Sequence, residues 1–329
     1  MSTTATRTLG KTGPTTFPIA LGCMGMSGMY GPADEAESIA TIHAALERGI
    51  NLLDTGDFYG QGQNELLIRR ALQGRSQKPM LSVKFGALRG PDGAWLGYDA
   101  RPAAVKNFCA YSLNRLGVDH LDIYRPARLD PNVPIEDTIG AIADLVKAGY
   151  VRHIGLSEVG VETIRRAAKV HPICDLQIEY SLLSRNPERG IFPALRELGI
   201  GVTAYGVLSR GLLSGSKVGG PGDFRAHMPR FNGEAGAQNL KLVEALNRLA
   251  AEKNVSAATL ATAWALHKGE HIVPVMGART RKQLDQALAA VDLPLTDAEV
   301  QKLEAAVPAS AVQGTRYAEQ QMKQLDSER

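Results

Sequence analysis

A chain of 329 residues with 37 basic and 34 acidic side chains carries a formal charge of only +3, which excludes the strongly basic footprint of a nucleic-acid binder or a polybasic membrane-surface protein. Its 44% hydrophobic content suffices for a large core. No run approaches the ~20 apolar residues of a membrane span, and the segment from Met1 to Thr6 lacks an apolar leader. The cysteines Cys23, Cys109 and Cys174 are widely spaced, with no CxxC or His-rich pattern. They read as reduced thiols of a cytoplasmic protein, with no disulfide framework and no metal site.

Thr6 to Phe17, with Gly10-Lys11-Thr12-Gly13-Pro14 between short flanks, reads as a hairpin that would cap the bottom of a barrel. Ile19-Ala20-Leu21-Gly22 is the first core strand, followed by a Gly- and Met-rich loop from Cys23 to Tyr30. A helix with acids in its first turn runs from Asp34 to Arg48, and Gly49 ends it. The pattern then repeats: strand 50–54, helix 64–72, strand 80–84, helix 102–116, strand 121–124, helix 136–148, strand 152–156, helix 161–169. It continues as strand 174–178, helix 188–198, strand 200–204, helix 238–253, strand 271–275 and helix 280–290.

Strands alternating with helices imply a parallel sheet able to close on itself, a (β/α)8 TIM barrel. A doubly wound open sheet is the alternative, although no GxGxxG follows the first strand. Length alone would allow two domains, but no linker or composition break interrupts the pattern, so one domain over 1–329 is expected. Insertions at Ala87–Ala100 and Ser214–Gln238 fall on the C-terminal face, where barrel enzymes keep their sites. The tail from Pro308 to Arg329 is too polar for core and is expected to fold back over the rim.

The chemistry concentrates in Asn51-Leu52-Leu53-Asp54-Thr55-Gly56-Asp57-Phe58-Tyr59-Gly60 and in Leu81-Ser82-Val83-Lys84. Both are strands that end in reactive side chains, and in a parallel sheet those ends are neighbours. A lone Tyr after a strand is usually packing, and a Lys at a strand end is usually solvated. An acid, a phenol and an amine at consecutive strand ends make a proton-transfer device: the ammonium favours phenolate and the carboxylate holds the ammonium.

Asp54-Thr55-x-Asp57-x-Tyr59-Gly60 with Lys84 resembles the active site of the aldo-keto reductases, and the resemblance runs from about Arg7 to about Leu325. The loop Cys23-Met24-Gly25-Met26-Ser27 is closest to a bacterial and plant branch of that family. The resemblance implies an oxidoreductase moving hydride between NADP(H) and a small-molecule carbonyl or alcohol, with Tyr59 as general acid/base, Lys84 tuning it and Asp54 orienting Lys84. It places Ser157, Glu158 and Gln177 on the nicotinamide carboxamide and stacks Tyr205 on the nicotinamide ring. Gly206 to Gly215, including Leu208, Arg210 and Gly211, matches the pyrophosphate loop, where glycines let backbone N–H groups approach phosphate oxygens. Gly277 and Arg279, at the opening of the last helix, match the 2′-phosphate site and favour NADPH over NADH. Gln283 and Asp285 match adenosine-side positions, while Ala287 stands where the family usually has Asn.

One departure matters. The family carries a catalytic His at the end of the fourth strand, in a pattern like Tyr-Tyr-Gln-His-Arg-Val-Asp-Pro, and this chain has Tyr124-Arg125-Pro126-Ala127-Arg128-Leu129-Asp130-Pro131. Ala127 takes the His position and donates nothing, a loss of ~2.7–4 kcal/mol by analogy with other oxyanion donors. Arg125, which shares strand parity with residue 127, and His227, in the loop after the seventh strand, are the candidate substitutes; the alternative, of equal weight, is that Arg125 is a salt-bridged structural residue and the pocket is simply larger. Ala127 also motivates a second reading, a nicotinamide-binding protein with little turnover that acts as a redox-responsive interaction module.

Overall fold

The computed structural model describes residues 6–216, 218–219 and 223–329, and in it the eight apolar runs pair as one closed parallel barrel. The strands are β1 (Ala20–Gly22), β2 (Leu52–Gly56), β3 (Met80–Phe85), β4 (Leu121–Pro126), β5 (Val151–Ser157), β6 (Ile173–Glu179), β7 (Gly201–Tyr205) and β8 (Ile272–Gly277). Val275 of β8 pairs with Ala20 of β1, so the sheet has no open edge and the doubly wound alternative is excluded. Asp54 lies opposite Ser82 and Gly56 opposite Lys84, which brings the ends of β2 and β3 together.

Helices α1 (Glu35–Glu47), α2 (Gln63–Leu72), α3 (Pro102–Leu116), α4 (Ile135–Lys147), α5 (Val161–Val170), α6 (Ile191–Leu198) and α7 (Gly233–Glu252) follow the expected alternation. Asp34 starts α1 by accepting the N–H of Glu37 at 2.7 Å. Two helices of eight or more residues were not expected from the sequence. In α8 (Ala257–His267) every side chain from Ala257 to Ala265 is buried, so no amphipathic stripe marks it. After α9 (Arg281–Leu288), α10 (Asp297–Ala306) opens with a capping box in which Thr296 and Glu299 bond each other's backbone.

The barrel interior is layered. At the bottom, Leu9 from the N-terminal hairpin meets Ala20, Leu52, Ile123, Cys174 and Val273. Gly10 seats that hairpin with a φ of +63°, and a Cβ there would come within 2.6 Å of the Gly199 carbonyl. Above this plug the lining turns polar, with Arg125 and Asp175, both fully buried, paired at 3.0 Å. Gly155 makes the room: a Cβ there would lie 2.6 Å from Asp175 Oδ1 and 2.9 Å from Arg125 Nε. A second polar layer, containing Asp54 and Lys84, opens to the C-terminal face.

That face is built up by the insertions and the tail. Ala87–Arg89 and Trp95–Tyr98 form an antiparallel hairpin after β3. The insertion after β7 contains short 3-10 turns at Phe224–His227 and Pro229–Phe231; its residues 217 and 220–222 lie outside the described residues. The tail departs from its polar reading. It folds over the rim, but Leu325 is 2% exposed and Arg316 6% exposed, so part of it is core. Among the described residues, no helix is long and apolar enough to cross a membrane.

Candidate active site

Asp54 and Lys84 form a buried ion pair at 2.5 Å, each about 5% exposed. The other Asp54 oxygen accepts from Ser82 Oγ at 2.9 Å and Gln177 Nε2 at 2.8 Å, so the carboxylate is satisfied and cannot swing away from the ammonium. Arg125 in turn donates to Ser82 Oγ at 3.2 Å and Thr203 Oγ1 at 2.9 Å. The polar column therefore runs unbroken from the Arg125–Asp175 pair up to Lys84.

Tyr59 reaches the top of that column from the turn after β2. The Asp57 N–H donates to the Lys84 carbonyl at 2.9 Å, and the Asp57 carboxyl accepts the Gly86 N–H at 3.3 Å, which fastens the turn to β3. From the other side, fully buried Asn64 bonds Thr55, the Cys23 carbonyl and Ser27. Held in this way, the Tyr59 ring is 6% exposed, and Lys84 Nζ lies 5.2 Å from its centroid.

The electrostatics correct one expectation. Burial first, and the Asp54 charge second, push the Tyr59 phenol well above its usual range, so it holds its proton at neutral pH rather than being drawn toward phenolate. Burial also lowers Lys84, against the opposing pull of Asp54. A protonated phenol beside an ammonium is arranged as an acid.

These groups open into a cavity of about 540 Å³. Of the residues singled out in the sequence, Asp54, Tyr59, Lys84, Ser157, Gln177 and Tyr205 line its inner part. Gly206, Leu208, Arg210, Gly211, Gly277, Arg279 and Gln283 line the arm toward β8 and α9. The turn Ser209–Arg210–Gly211 runs through three consecutive positive φ values, 47°, 57° and 93°. A Cβ on Gly211 would come within 2.7 Å of Ser216, so backbone faces the cavity where a side chain could not fit.

Two expected residues are not brought there. The Glu158 carboxylate turns away to Arg316 at 2.5 Å, Ser327 at 2.6 Å and the Tyr205 hydroxyl at 2.7 Å. Burial alone would raise it, but the charge and hydrogen bonds of Arg316 hold it well below the usual carboxylate range. Asp285 is surface, with its oxygen 3.4 Å from an exposed Arg48. The amides at and just before the start of α9 are already used: those of Arg279, Arg281 and Gln283 donate to the Gln283, Glu37 and Thr280 side chains. Arg279 spends one nitrogen, Nη1, on the carbonyls of Tyr30, Gly31 and Pro32.

Neither candidate substitute for a donor at residue 127 reaches the cavity. Arg125 is locked one layer below, and His227 sits exposed on its turn. Among the described residues no histidine lines the cavity, and Ala127 contributes only a methyl group. Lining residues missed in the sequence are Trp95 and Tyr98 of the hairpin, Arg128 beside Ala127, and Tyr317 of the tail. Tyr317 has Arg210 4.2 Å from its ring, and its hydroxyl meets Arg128 and Tyr205, each at 3.0 Å. Arg128 carried a sequence signal, as a charged residue just past a strand on the site-bearing face, and Trp95 and Tyr98 lay in an insertion assigned to that face.

A buried acid, amine and phenol at the C-terminal mouth of a (β/α)8 barrel, with a glycine- and arginine-lined arm, define a barrel oxidoreductase site. The chain belongs to the aldo/keto reductase family, whose model matches residues 18–308. It is 40% identical over 317 residues to a probable aldo-keto reductase 1 of Glycine max, covering 94% of this chain and 90% of that one. Among solved structures it is similar to a glycerol dehydrogenase of Gluconobacter oxydans, with a TM-score of 0.83, 27% identity and 94% and 97% of the two chains covered. An aldo-keto reductase of Bacillus halodurans, solved in its holo form, superposes with a TM-score of 0.77 at 30% identity over 93% and 97%. The family makes the chain an oxidoreductase of carbonyls and alcohols that uses a nicotinamide cofactor.

Proposed function

We propose that this protein is an NADP(H)-dependent carbonyl reductase in which Tyr59 delivers the proton. The observation that carries the reading is the convergence of Asp54, Lys84 and Tyr59 at the floor of one cavity whose other arm is lined by backbone and guanidinium groups. That arm suits an extended polyanionic cofactor. Gly277 faces open space, the turn at Gly211 excludes side chains, and Arg279 keeps Nη2 and Nε beyond the contacts made by Nη1. The Arg279 guanidinium at the opening of α9 would hold a 2′-phosphate, which favours NADPH over NADH.

When bound, the reduced nicotinamide supplies the hydride. Ser157 and Gln177 would orient it through its carboxamide, and the Tyr205 ring would pack on its face. Tyr59, protonated in the resting site, gives its proton to the substrate oxygen as charge develops there. Lys84 then stands where it stabilises the phenolate left behind, and Asp54 keeps Lys84 charged and in place. The resting protonation suits reduction better than oxidation. Ala127 would stand where the family has its catalytic His, so Tyr59 carries the proton transfer without an imidazole beside it.

The test is NADPH consumption over a panel of aldehydes and ketones, with cofactor binding followed separately by fluorescence. Turnover that disappears in Tyr59→Phe supports the reading. Tight NADPH binding with no turnover on any carbonyl would favour the alternative, a nicotinamide-binding module, which the histidine-free cavity motivates.

A further inference from the structure

The charges around the cavity do not balance on its substrate side. Arg210 is paired with Glu179 at 2.6 Å, Arg225 with Asp223 at 2.7 Å, Arg316 with Glu158 at 2.5 Å and Lys84 with Asp54. Among the described residues Asp54 is the single acid in the lining, and Lys84 already holds it. Arg128 also lines the cavity, and among the described residues no carboxylate lies within ion-pair distance of it. Its contacts are neutral: Nη1 donates to the Ala127 carbonyl at 2.6 Å and lies 3.5 Å from Ser157 Oγ, and Nη2 donates to the Tyr317 hydroxyl at 3.0 Å. A guanidinium has five N–H donors in a planar fork, so part of the fork remains unspent.

A second arginine on the same side is similar. Arg89 donates to the Gly93 carbonyl at 3.1 Å and lies 4.7 Å from the Trp95 ring, again without a carboxylate partner among the described residues. A guanidinium in a cavity wall with no carboxylate partner keeps N–H donors available to an arriving anion. Beside Arg128, Ala127 leaves the rim with only a methyl group.

From this arrangement we infer that the substrate is an oxo acid, whose carboxylate is bound by the open side of the Arg128 fork while its carbonyl meets Tyr59. The inference rests on the proposed reductase reading and names its substrate class. Arg128 thereby sets specificity, and Arg89 adds a second positive charge at the entrance. A phosphate can meet the same planar fork through two oxygens, and the phosphorylated aldose in the experiment separates it from a carboxylate.

The experiment compares kcat/KM with NADPH for matched pairs: glyoxylate against acetaldehyde, succinic semialdehyde against butanal, adipic semialdehyde against hexanal, and a phosphorylated aldose against the free sugar. At least one oxo acid should exceed its neutral partner by roughly ten- to hundredfold, mostly through KM, the scale of one charge-assisted contact. In Arg128→Met that ratio should fall toward one, and in Arg128→Lys, which keeps a point charge without the fork, it should be intermediate. Equal rates for every pair in the wild type, a preference confined to the phosphorylated aldose, or a preference that survives Arg128→Met would each overturn the assignment. A reading free of turnover is the calorimetric titration of the NADP⁺-loaded protein with succinate and with succinamide. Only succinate should bind, and its binding should be lost in Arg128→Met; equal binding of both overturns the proposal even if no carbonyl is reduced. Absence of NADPH oxidation by every member of the panel would instead count against the reductase reading, so the two failures are distinct.

Discussion

Asp57 offers a test of the electrostatics that hold the Tyr59 turn. It is 8% exposed, one of its oxygens has no partner among the described residues, and burial first and the Glu65 carboxylate second push its carboxyl up to about 7, against the smaller opposing pull of the Gly86 N–H and then of Arg115. An unfolded Asp titrates near ~3.9. Between these values the folded protein holds a proton that the unfolded chain has released. The contribution of Asp57 to stability is therefore fully present below the unfolded value and is lost as pH rises toward and through about 7. Integrated between about pH 5.5 and about pH 8.5, the loss is roughly 2 kcal/mol. Over 329 residues, at ~2.1 cal/mol/K per residue, this is roughly 3 °C in Tm. Asp57→Asn keeps the shape and the acceptor for Gly86 and removes the titration, so constant costs cancel when each protein is compared with itself across pH. Thermal unfolding at the two pH values should show the wild type losing about 3 °C more than the variant. Parallel losses would mean that the carboxylate is ionised in the fold and that the reasoning about its burial is wrong.

Other expectations follow from the same geometry. Arg279→Ala should weaken NADPH binding by roughly ten- to hundredfold more than NADH binding, as one charge-assisted contact is lost; fluorescence titration with both cofactors checks this, and equal losses would remove the 2′-phosphate from that site. Arg316→Met removes the charged partner of the buried Glu158 carboxylate, while Glu179 keeps its close Arg210 contact, so it should destabilise by about 3–5 kcal/mol and expose the tail to proteolysis before the barrel. Arg125→Leu leaves Asp175 charged and unpaired beneath the site, and a loss of similar size is expected in denaturant unfolding.

The barrel was legible because each strand is a short apolar run buried on both faces and separated from the next by an amphipathic helix. The reading failed where those signals vanish. Helix α8 is apolar almost all round, so it has no 3.6-residue stripe to detect. For α10 a signal existed: Thr296-Asp297-Ala298-Glu299 is the capping pattern. At the site, Asp54, Tyr59 and Lys84 lie at consecutive strand ends, which local sequence marks. Glu158 shows the limit, because the partner that turns it from the cavity, Arg316, lies 158 residues on and is delivered only by the folded tail. Arg125 shows another: strand parity places it inside the barrel, but not at which layer, and Asp175 holds it below the cavity. Tyr317 had no local mark at all; its place depends on Arg210 and Arg128 from two other elements.

The central claim is that the Tyr59 phenol supplies the proton while hydride is transferred. Its most direct test is single-turnover oxidation of bound NADPH in wild type and Tyr59→Phe, with a carbonyl that the wild type reduces. The account expects the single-turnover rate to fall by ~10²–10⁴ while NADPH affinity stays within a few-fold, since only a proton donor has been removed. A rate equal to that of the wild type would contradict it.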